Sequence, residues 1–460
     1  MQFLGIETTI KNQPKLDPNF IPIDIWMKNF SQKADQAIAI AVEREKGRMA
    51  VEKVKIYSQP EMQDANHYFI EQVVKLLLWM KGGFRIYICG DPDIYAHIAK
   101  AYSYGGKRDF DVHFMERVYS RSFEVCYRTY DQCPAENDEA IELSRSMAGC
   151  RIGFDAGGSD RKVSAIIDGK VVFSEEVVWF PKLQEDPAYH FEGIVSAFRS
   201  AAEHLPHVDG IGVSSAGVIV DHKPMVSSLF IKVPDQTSVE DIFLRAAKEI
   251  DPDIPIVVCN DGDVSALAGG YSLGLKNLIG MAMGTSEAVG FLNQEGNITG
   301  WLNELAFAPV DASPLAMQDE WSGDIGCGCK YFSQDAVIKL APPAGIQLDE
   351  NLPLAEKLKV IQEKAAAGEP GAQDIFTTIG TYLGHTLALY YDMYGCTYVL
   401  LLGRVMSGVG GELIYQEAER VLKDEYPQIP LQMKLPDENF RRLGQSAAAA
   451  MLPPIQEERK

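Results

Sequence analysis

Two aspartates stand where apolar runs give way to polar turns: Asp155 in "RIGFDAGGSD" and Asp261 in "IVVCNDGDVSALAG". Carboxylates at strand ends face the crevice of an open α/β sheet, where reacting groups are held. Asp155 is followed by Gly157, Gly158 and Ser159. Consecutive glycines let backbone N–H groups turn toward an anion without a clashing Cβ, and a hydroxyl adds one more donor. Taken alone, a Gly-Gly hairpin is an ordinary turn, and Asp261 or Asp263 is an ordinary helix cap. Two further signals follow in the chain. "MGTSEAVGF" is a second Gly-turn hairpin, containing Gly284 and Thr285, and "LLLGRVMSGVGGEL" leads a strand through Gly403 into a Gly-rich helix start. The order and spacing of the four carry more than any one of them.

The elements that must position these residues alternate between strand and helix. From Arg151 the chain reads as three strands, "RIGFDAGG", "KVSAIIDG" and "KVVFSEEVVWF", punctuated by Asp-Gly. "AYHFEGIVSAFRSAAEHL" then places Phe191, Ile194, Val195 and Phe198 on one helical face. "HVDGIGVSSAGVIVD" is a buried strand, and "SVEDIFLRAAKEI" an amphipathic helix. This alternation predicts an α/β fold with helices on both faces of its sheets. A second block of the same kind runs from "NLIGMAMGTSEAVGFLN" through the helix "TIGTYLGHTLALYYDMYG" to the strand "TYVLLLG". Two such blocks predict two lobes around a cleft. "LGQSAAAAMLPP" reads as a small-residue helix suited to close packing on a sheet. The expected organisation is an N-terminal α/β domain over 1–148, a first lobe over 149–265 plus 436–460, and a second lobe over 266–435. Within the N-terminal segment, "QAIAIAVERE", "KGRMAVEKVKIYS", "HYFIEQVVKLLLWM" and "FRIYICGD" repeat the order strand, strand, helix, strand. That order is either a degenerate copy of the first lobe or a chance recurrence of a common pattern. Its turn, "REKGR", offers no phosphate cradle.

Composition sets the outer bounds. The 460 residues, 46% hydrophobic and 23% charged, are those of a folded globular chain of two or three domains. A net charge of -21 opposes a nucleic-acid partner, which needs clustered Lys and Arg to displace counterions. Eight scattered cysteines read as reduced thiols. The opening "MQFLGIETTIKNQPKLDPNF" has no basic region leading into an apolar run, and "VVKLLLWMKGG" is too short to span a bilayer. A cytoplasmic protein without a membrane partner is expected; a homo-oligomer is compatible with the sequence.

From about Gly149 to the C-terminus, roughly two thirds of the chain, the motifs resemble the ROK family of sugar kinases and related repressors. That resemblance implies a two-lobed actin/hexokinase-like (ribonuclease H-like) fold, here with an additional N-terminal α/β domain. The family's Asp-x-Gly-Gly-Thr matches Asp155 to Ser159, with serine for threonine. Its Asn-Asp pair falls on Asn260 and Asp261, its second phosphate motif on Gly284 and Thr285, and its adenosine motif on "LLLGRVMSG". The resemblance implies ATP and Mg²⁺ as cofactors. Asp261 would take the proton from the sugar hydroxyl, and Asp155 would hold Mg²⁺ through water. Gly157, Gly158, Ser159, Gly284 and Thr285 would cradle phosphates, Gly403 would lie beside the adenosine, and Asn260 and Glu304 would bind the sugar.

The departures from the family are specific. Its second phosphate loop is nearly all glycine, whereas this chain has Ser286, Glu287, Ala288 and Val289. An acid there repels a triphosphate if it points inward. Arg404 replaces a glycine of the adenosine motif, Phe307 replaces the histidine that the family lends to a zinc site, and Cys329 replaces a sugar-side glutamate. Cys327 and Cys329 lack neighbours in sequence to complete four ligands, so no zinc site is expected. Two readings follow: an ATP-dependent carbohydrate kinase with an altered sugar pocket, or a non-catalytic ligand sensor or scaffold on the same fold. A DNA-binding repressor fits least, because the first 150 residues read as strands and one helix in an acidic chain.

Overall fold

The alternating Ile, Ala and Val of Gln36–Glu43 form a strand whose residues 38–42 are fully enclosed. In this computed structural model, which describes residues 1–138, 140, 147–437 and 444–454, that strand is central to a four-stranded sheet. It pairs antiparallel with both Met49–Ile56 and Arg85–Cys89, and the latter pairs parallel with Glu124–Arg128. The helix Gln63–Lys81 is buried on every face from Phe69 to Met80, Glu71, Gln72 and Lys75 included. A helix enclosed all round belongs to a core, and its polar residues then need partners or a purpose.

By internal contacts, residues 1–139 fall into one unit with 281–289 and 301–435. An extended arm ahead of the first sheet lies along the long helix Pro370–Tyr394. Leu16 N–H donates to Thr378 at 3.3 Å, the Tyr382 hydroxyl to Asp17 at 2.6 Å, and His385 Nε2 to the Asn12 carbonyl at 3.0 Å. Residues 139 and 141–146, just ahead of the boundary expected after 148, lie outside the described residues.

The second unit comprises 140–280, 290–300 and 436–460. Its five-stranded sheet runs in the order Ile256–Asn260, Gly210–Ser215, Cys150–Ala156, Asp160–Ile167, Lys170–Val178. The first three strands are parallel and the last two antiparallel. Strand Cys150–Ala156 thus pairs parallel with its crossover partner, whereas Gln36–Glu43 pairs antiparallel with Arg85–Cys89. Three strands precede the helix here and two precede it in the N-terminal sheet, so the two sheets differ in both element count and pairing direction. On one face, Phe154 and Val213 pack against Ile194 and Phe198 of the helix Pro187–Ala202. Pro187 presets that helix's first turn, and the Asp186 carboxylate caps it by accepting from Ala188 N–H.

The opposite face carries the helices Asp261–Leu273 and Gln445–Ala449. The small-residue helix approaches so closely that a Cβ on Gly153 would overlap the Ser446 carbonyl, and one on Gly212 the Ala449 carbonyl. A further sheet is ordered Glu287–Leu292, Leu278–Met283, Tyr398–Leu402, Gln432–Lys434. No helix among the described residues is long and apolar enough to cross a membrane.

Gly153→Val should therefore force the C-terminal helix off its strand. Urea unfolding should show a loss of about 1–3 kcal/mol, and an unchanged midpoint would mean that the helix is not seated where the structure has it.

Candidate functional site

Parallel pairing puts the C-terminal ends of three strands in one row. Ser214 lies opposite Asp155 on one side and Cys259 on the other, and in the next row Ser215 lies between Ala156 and Asn260. Asp261 follows at the start of its helix. The Ser214 hydroxyl, beside Asp155 in the register, accepts from Gln445 Nε2 at 3.1 Å. The same Gln445 Nε2 donates to the Asp261 carbonyl at 2.7 Å, and Gln445 Oε1 accepts from Ser265 at 3.2 Å. One amide, brought in from the far end of the chain, therefore fixes both aspartate-bearing strand ends. Sequence reading passed over Gln445 and Ser214; their signal was only the small-residue helix that delivers the glutamine.

Asn260 is more constrained than a free sugar ligand. Its Oδ1 caps the helix by accepting from Gly262 N–H at 2.7 Å, and its Nδ2 donates to the Gly217 carbonyl at 2.8 Å. The capping role that the sequence left open for Asp261 or Asp263 thus falls chiefly on Asn260. Asp263 is buried and accepts from Phe291 N–H at 3.2 Å.

Burial raises the Asp155 carboxyl to about 6; the Ser214 bond opposes this and the Asp261 charge adds to it. Burial likewise raises Asp261, against the hydrogen bond from Gly262 N–H. Between the first two strands, Gly157, Gly158 and Ser159 form the turn. Trp179 holds it from one side, donating Nε1 to the Gly157 carbonyl at 2.7 Å and its backbone N–H to the Ser159 carbonyl at 3.2 Å. Lys182, exposed and without a salt bridge among the described residues, reaches over Gly158. Its Nζ lies 2.9 Å from where a Cβ on that glycine would sit. A cation beside a glycine turn is what an anion site needs, and sequence reading missed it because Lys182 is remote from the motif.

The remaining expected residues belong to the other unit. Gly284 N–H donates to the Ser286 carbonyl at 3.0 Å, while the Gly284 carbonyl accepts from Gln334 N–H at 2.9 Å; Thr285 is exposed. Gly403 has φ +96° and presses on Met283, whose carbonyl a Cβ would overlap. The structure thus brings the expected adenosine glycine against the start of the second phosphate turn.

Glu287, the acid that the sequence flagged in this turn, is buried. Tyr390 donates its hydroxyl to Glu287 Oε1 at 3.0 Å, Oε2 has no hydrogen-bond partner among the described residues, and burial with the nearby Glu304 charge pushes the carboxyl up to about 8. At neutral pH it is mostly uncharged.

Glu304 sits on a segment held by the end of the helix Gln63–Lys81. The carbonyls of Trp79, Met80 and Lys81 accept from Glu304, Asn303 and Leu302 N–H at 2.9, 2.9 and 3.4 Å. Phe307 packs on Trp79 with ring centroids 4.4 Å apart, and on Phe110 and Trp321 at 5.3 and 5.5 Å. Cys327 and Cys329 have sulfurs 3.8 Å apart, and Cys329 donates to Asp319 at 3.5 Å. Asp319 is a third potential ligand that spacing did not reveal, and among the described residues no fourth joins the group. Lys330 Nζ, 3.6 Å from the same carboxylate, opposes a cation there.

No family model matches the chain, and no curated protein is similar to it in sequence. Solved structures do match. The ROK hexokinase of Thermus thermophilus is 16% identical, with a TM-score of 0.52, covering 66% of this chain and 97% of the hexokinase. A ROK-family transcriptional regulator, a homologue of the E. coli MLC protein, is also 16% identical, with a TM-score of 0.50, covering 66% of this chain and 78% of its own. Over about two thirds of its length the chain therefore has the fold of ROK hexokinases and regulators, an α/β fold of the actin/hexokinase type.

Glu287 predicts a pH signature. The folded protein holds this proton up to about pH 8, whereas the unfolded chain releases it near 4.5. Its contribution to stability is therefore full below pH 4.5 and falls as pH rises toward 8, by at most about 1.4 kcal/mol per unit. Glu287→Gln should gain on wild type steadily across that window in denaturant titrations. Parallel curves from pH 5 to 8 would show that the carboxyl ionises freely.

Proposed function

We propose that the protein transfers a phosphoryl group from ATP to a hydroxyl of a sugar or sugar derivative. One observation carries this reading: Asp155 and Asp261 lie at the same end of one sheet, on either side of the strand Gly210–Ser215, whose Ser214 shares the Gln445 amide with the Asp261 carbonyl, beside a glycine turn overhung by Lys182. Phosphoryl transfer asks a protein mainly for positioning, charge neutralisation and a base for the nucleophile. Asp261 is the base, receiving the hydroxyl proton as oxygen bonds the γ-phosphorus and ADP leaves. Its raised pKa improves its basicity while leaving it an acceptor. Asp155, at about 6, is largely ionised at neutral pH and suits a hydrated Mg²⁺, which when bound neutralises phosphate charge. The Gly157–Ser159 turn with Lys182, and the turn at Gly284 and Thr285 beside Gly403, are assigned to the nucleotide. Asn260, already engaged as a cap, holds the base in place more than it grips sugar, and Glu304 is left as the main sugar acceptor.

A sensor without turnover is the second reading, favoured by the apolar Phe307 cluster where the family resemblance puts a polar group. The two separate on Asp261→Asn. For a kinase, turnover should drop roughly a hundred- to ten-thousand-fold, about 3 to 5 kcal/mol of barrier, with ATP affinity nearly unchanged. Lys182→Ala should weaken ATP about tenfold. Wild type that binds ATP by calorimetry yet phosphorylates no sugar would decide for the sensor.

The acceptor pocket has lost a histidine and a glutamate to Phe307 and Cys329. Unpaired polar groups cost about 1 to 3 kcal/mol each, so glucose should bind poorly and an N-acyl hexosamine better. Thermal shifts with both sugar classes, with and without MgATP, test this; strong stabilisation by glucose contradicts it.

A further inference from the structure

The polar face of the helix Gln63–Lys81 is buried for a reason that the kinase reading does not use. Tyr68, Gln72 and Lys75 line a cavity of about 330 Å³ with Arg108, Ser313 and Asp324, and Phe3, Pro314 and Ile325 supply apolar wall. All of these residues lie in the unit that contains the N-terminal sheet.

Its charges are matched within the wall. Lys75 pairs with Asp324 and, at 3.4 Å, with Asp111. Arg108 bonds Glu71 at 2.8 Å through Nε and also pairs with Asp324, while Lys107 meets Glu71 at 2.8 Å. Asp311, also in the wall, already accepts from Ile21 N–H, Ser313 N–H and the Tyr331 hydroxyl. Gln72 is the exception. Only 5% exposed, its amide has no hydrogen-bond partner among the described residues, and the Tyr68 hydroxyl beside it has none either. An amide without a protein partner that opens onto a cavity is placed to bond what occupies that cavity.

We propose that this cavity is a second ligand site, separate from the catalytic aspartates, for a neutral polyhydroxyl molecule of monosaccharide size. An ionic ligand would compete with the pairs that Lys75 and Arg108 already make with buried carboxylates. Vicinal hydroxyls instead both donate and accept, so they satisfy the Gln72 amide and the Tyr68 hydroxyl and share the paired Asp324 and Lys75 without separating them. The Phe3 ring and the Pro314 and Ile325 side chains face the C–H surface of such a ring. The volume lies at the low end for small-molecule sites.

The test is calorimetric titration of the full chain with myo-inositol, glucose, N-acetylglucosamine and inorganic phosphate, each alone. At least one polyol should bind, and Gln72→Leu should weaken that binding tenfold or more while ATP binding is unchanged. Glu304→Gln should not weaken it, which separates this site from the acceptor site of the proposed kinase. Should Gln72→Leu fail to fold, Ser313→Ala should produce a smaller loss of the same polyol. The proposal falls if no polyol binds, if binding depends on Glu304 and not on Gln72, or if phosphate is the one probe whose binding Gln72→Leu removes.

Discussion

Holding two carboxylates at the same end of the parallel part of one sheet, one strand apart, is the constraint on which the rest of the second unit turns. Both are pushed up by burial, and the charge on Asp261 raises Asp155 further. Ser214 opposes the rise at Asp155, and the Gln445 amide joins the Ser214 hydroxyl to the Asp261 backbone carbonyl. Gln445 can do so only because its helix lies directly on the strands, and that needs Gly153 and Gly212 beneath it. The two glycines, the alanine-rich helix and the pair of aspartates are thus one device, assembled from segments nearly 300 positions apart.

The first unit solves a different problem. The segment bearing Glu304 and Phe307 has little regular structure of its own beyond one short helical turn. It is anchored instead by the last three carbonyls of the helix Gln63–Lys81, groups that every helix leaves unsatisfied. Phe307 then closes over Trp79. The family resemblance puts a zinc-binding histidine at position 307; here an aromatic stack with the N-terminal segment holds the same stretch. This gives the first 139 residues a structural role that their sequence alone did not suggest.

Strands, helices and glycine turns were legible because they are local. The alternation in "QAIAIAVE", the spacing of Ile194, Val195 and Phe198, and the turn after Asp155 each announce themselves within a dozen residues, and the structure forms them there. Pairing direction was not legible. Nothing in "FRIYICGD" says that it runs antiparallel to its neighbour while "GIGVSS" runs parallel to its own. Nor were Lys182 and Asp319 legible as site neighbours, because spatial adjacency across a turn leaves no periodic trace. Asn260 shows the intermediate case: an Asn-Asp pair before a helix signals a cap and a site equally, and in the fold Asn260 is the cap.

Glu287 shows why residue type alone misjudges a pocket. Read as a charge, it contradicts a phosphate turn; read with its surroundings, it does not. Its Oε1 accepts from Tyr390, and Gly328 packs so near Oε2 that even a Cβ there would be excluded. Among the described residues no cation offsets its desolvation, and the charge of Glu304 adds to the cost of ionising it. Under those conditions a carboxyl keeps its proton at neutral pH. A neutral carboxyl exerts no net charge repulsion on an anion, so the acid that reads as a charge in the sequence is not one where the structure buries it.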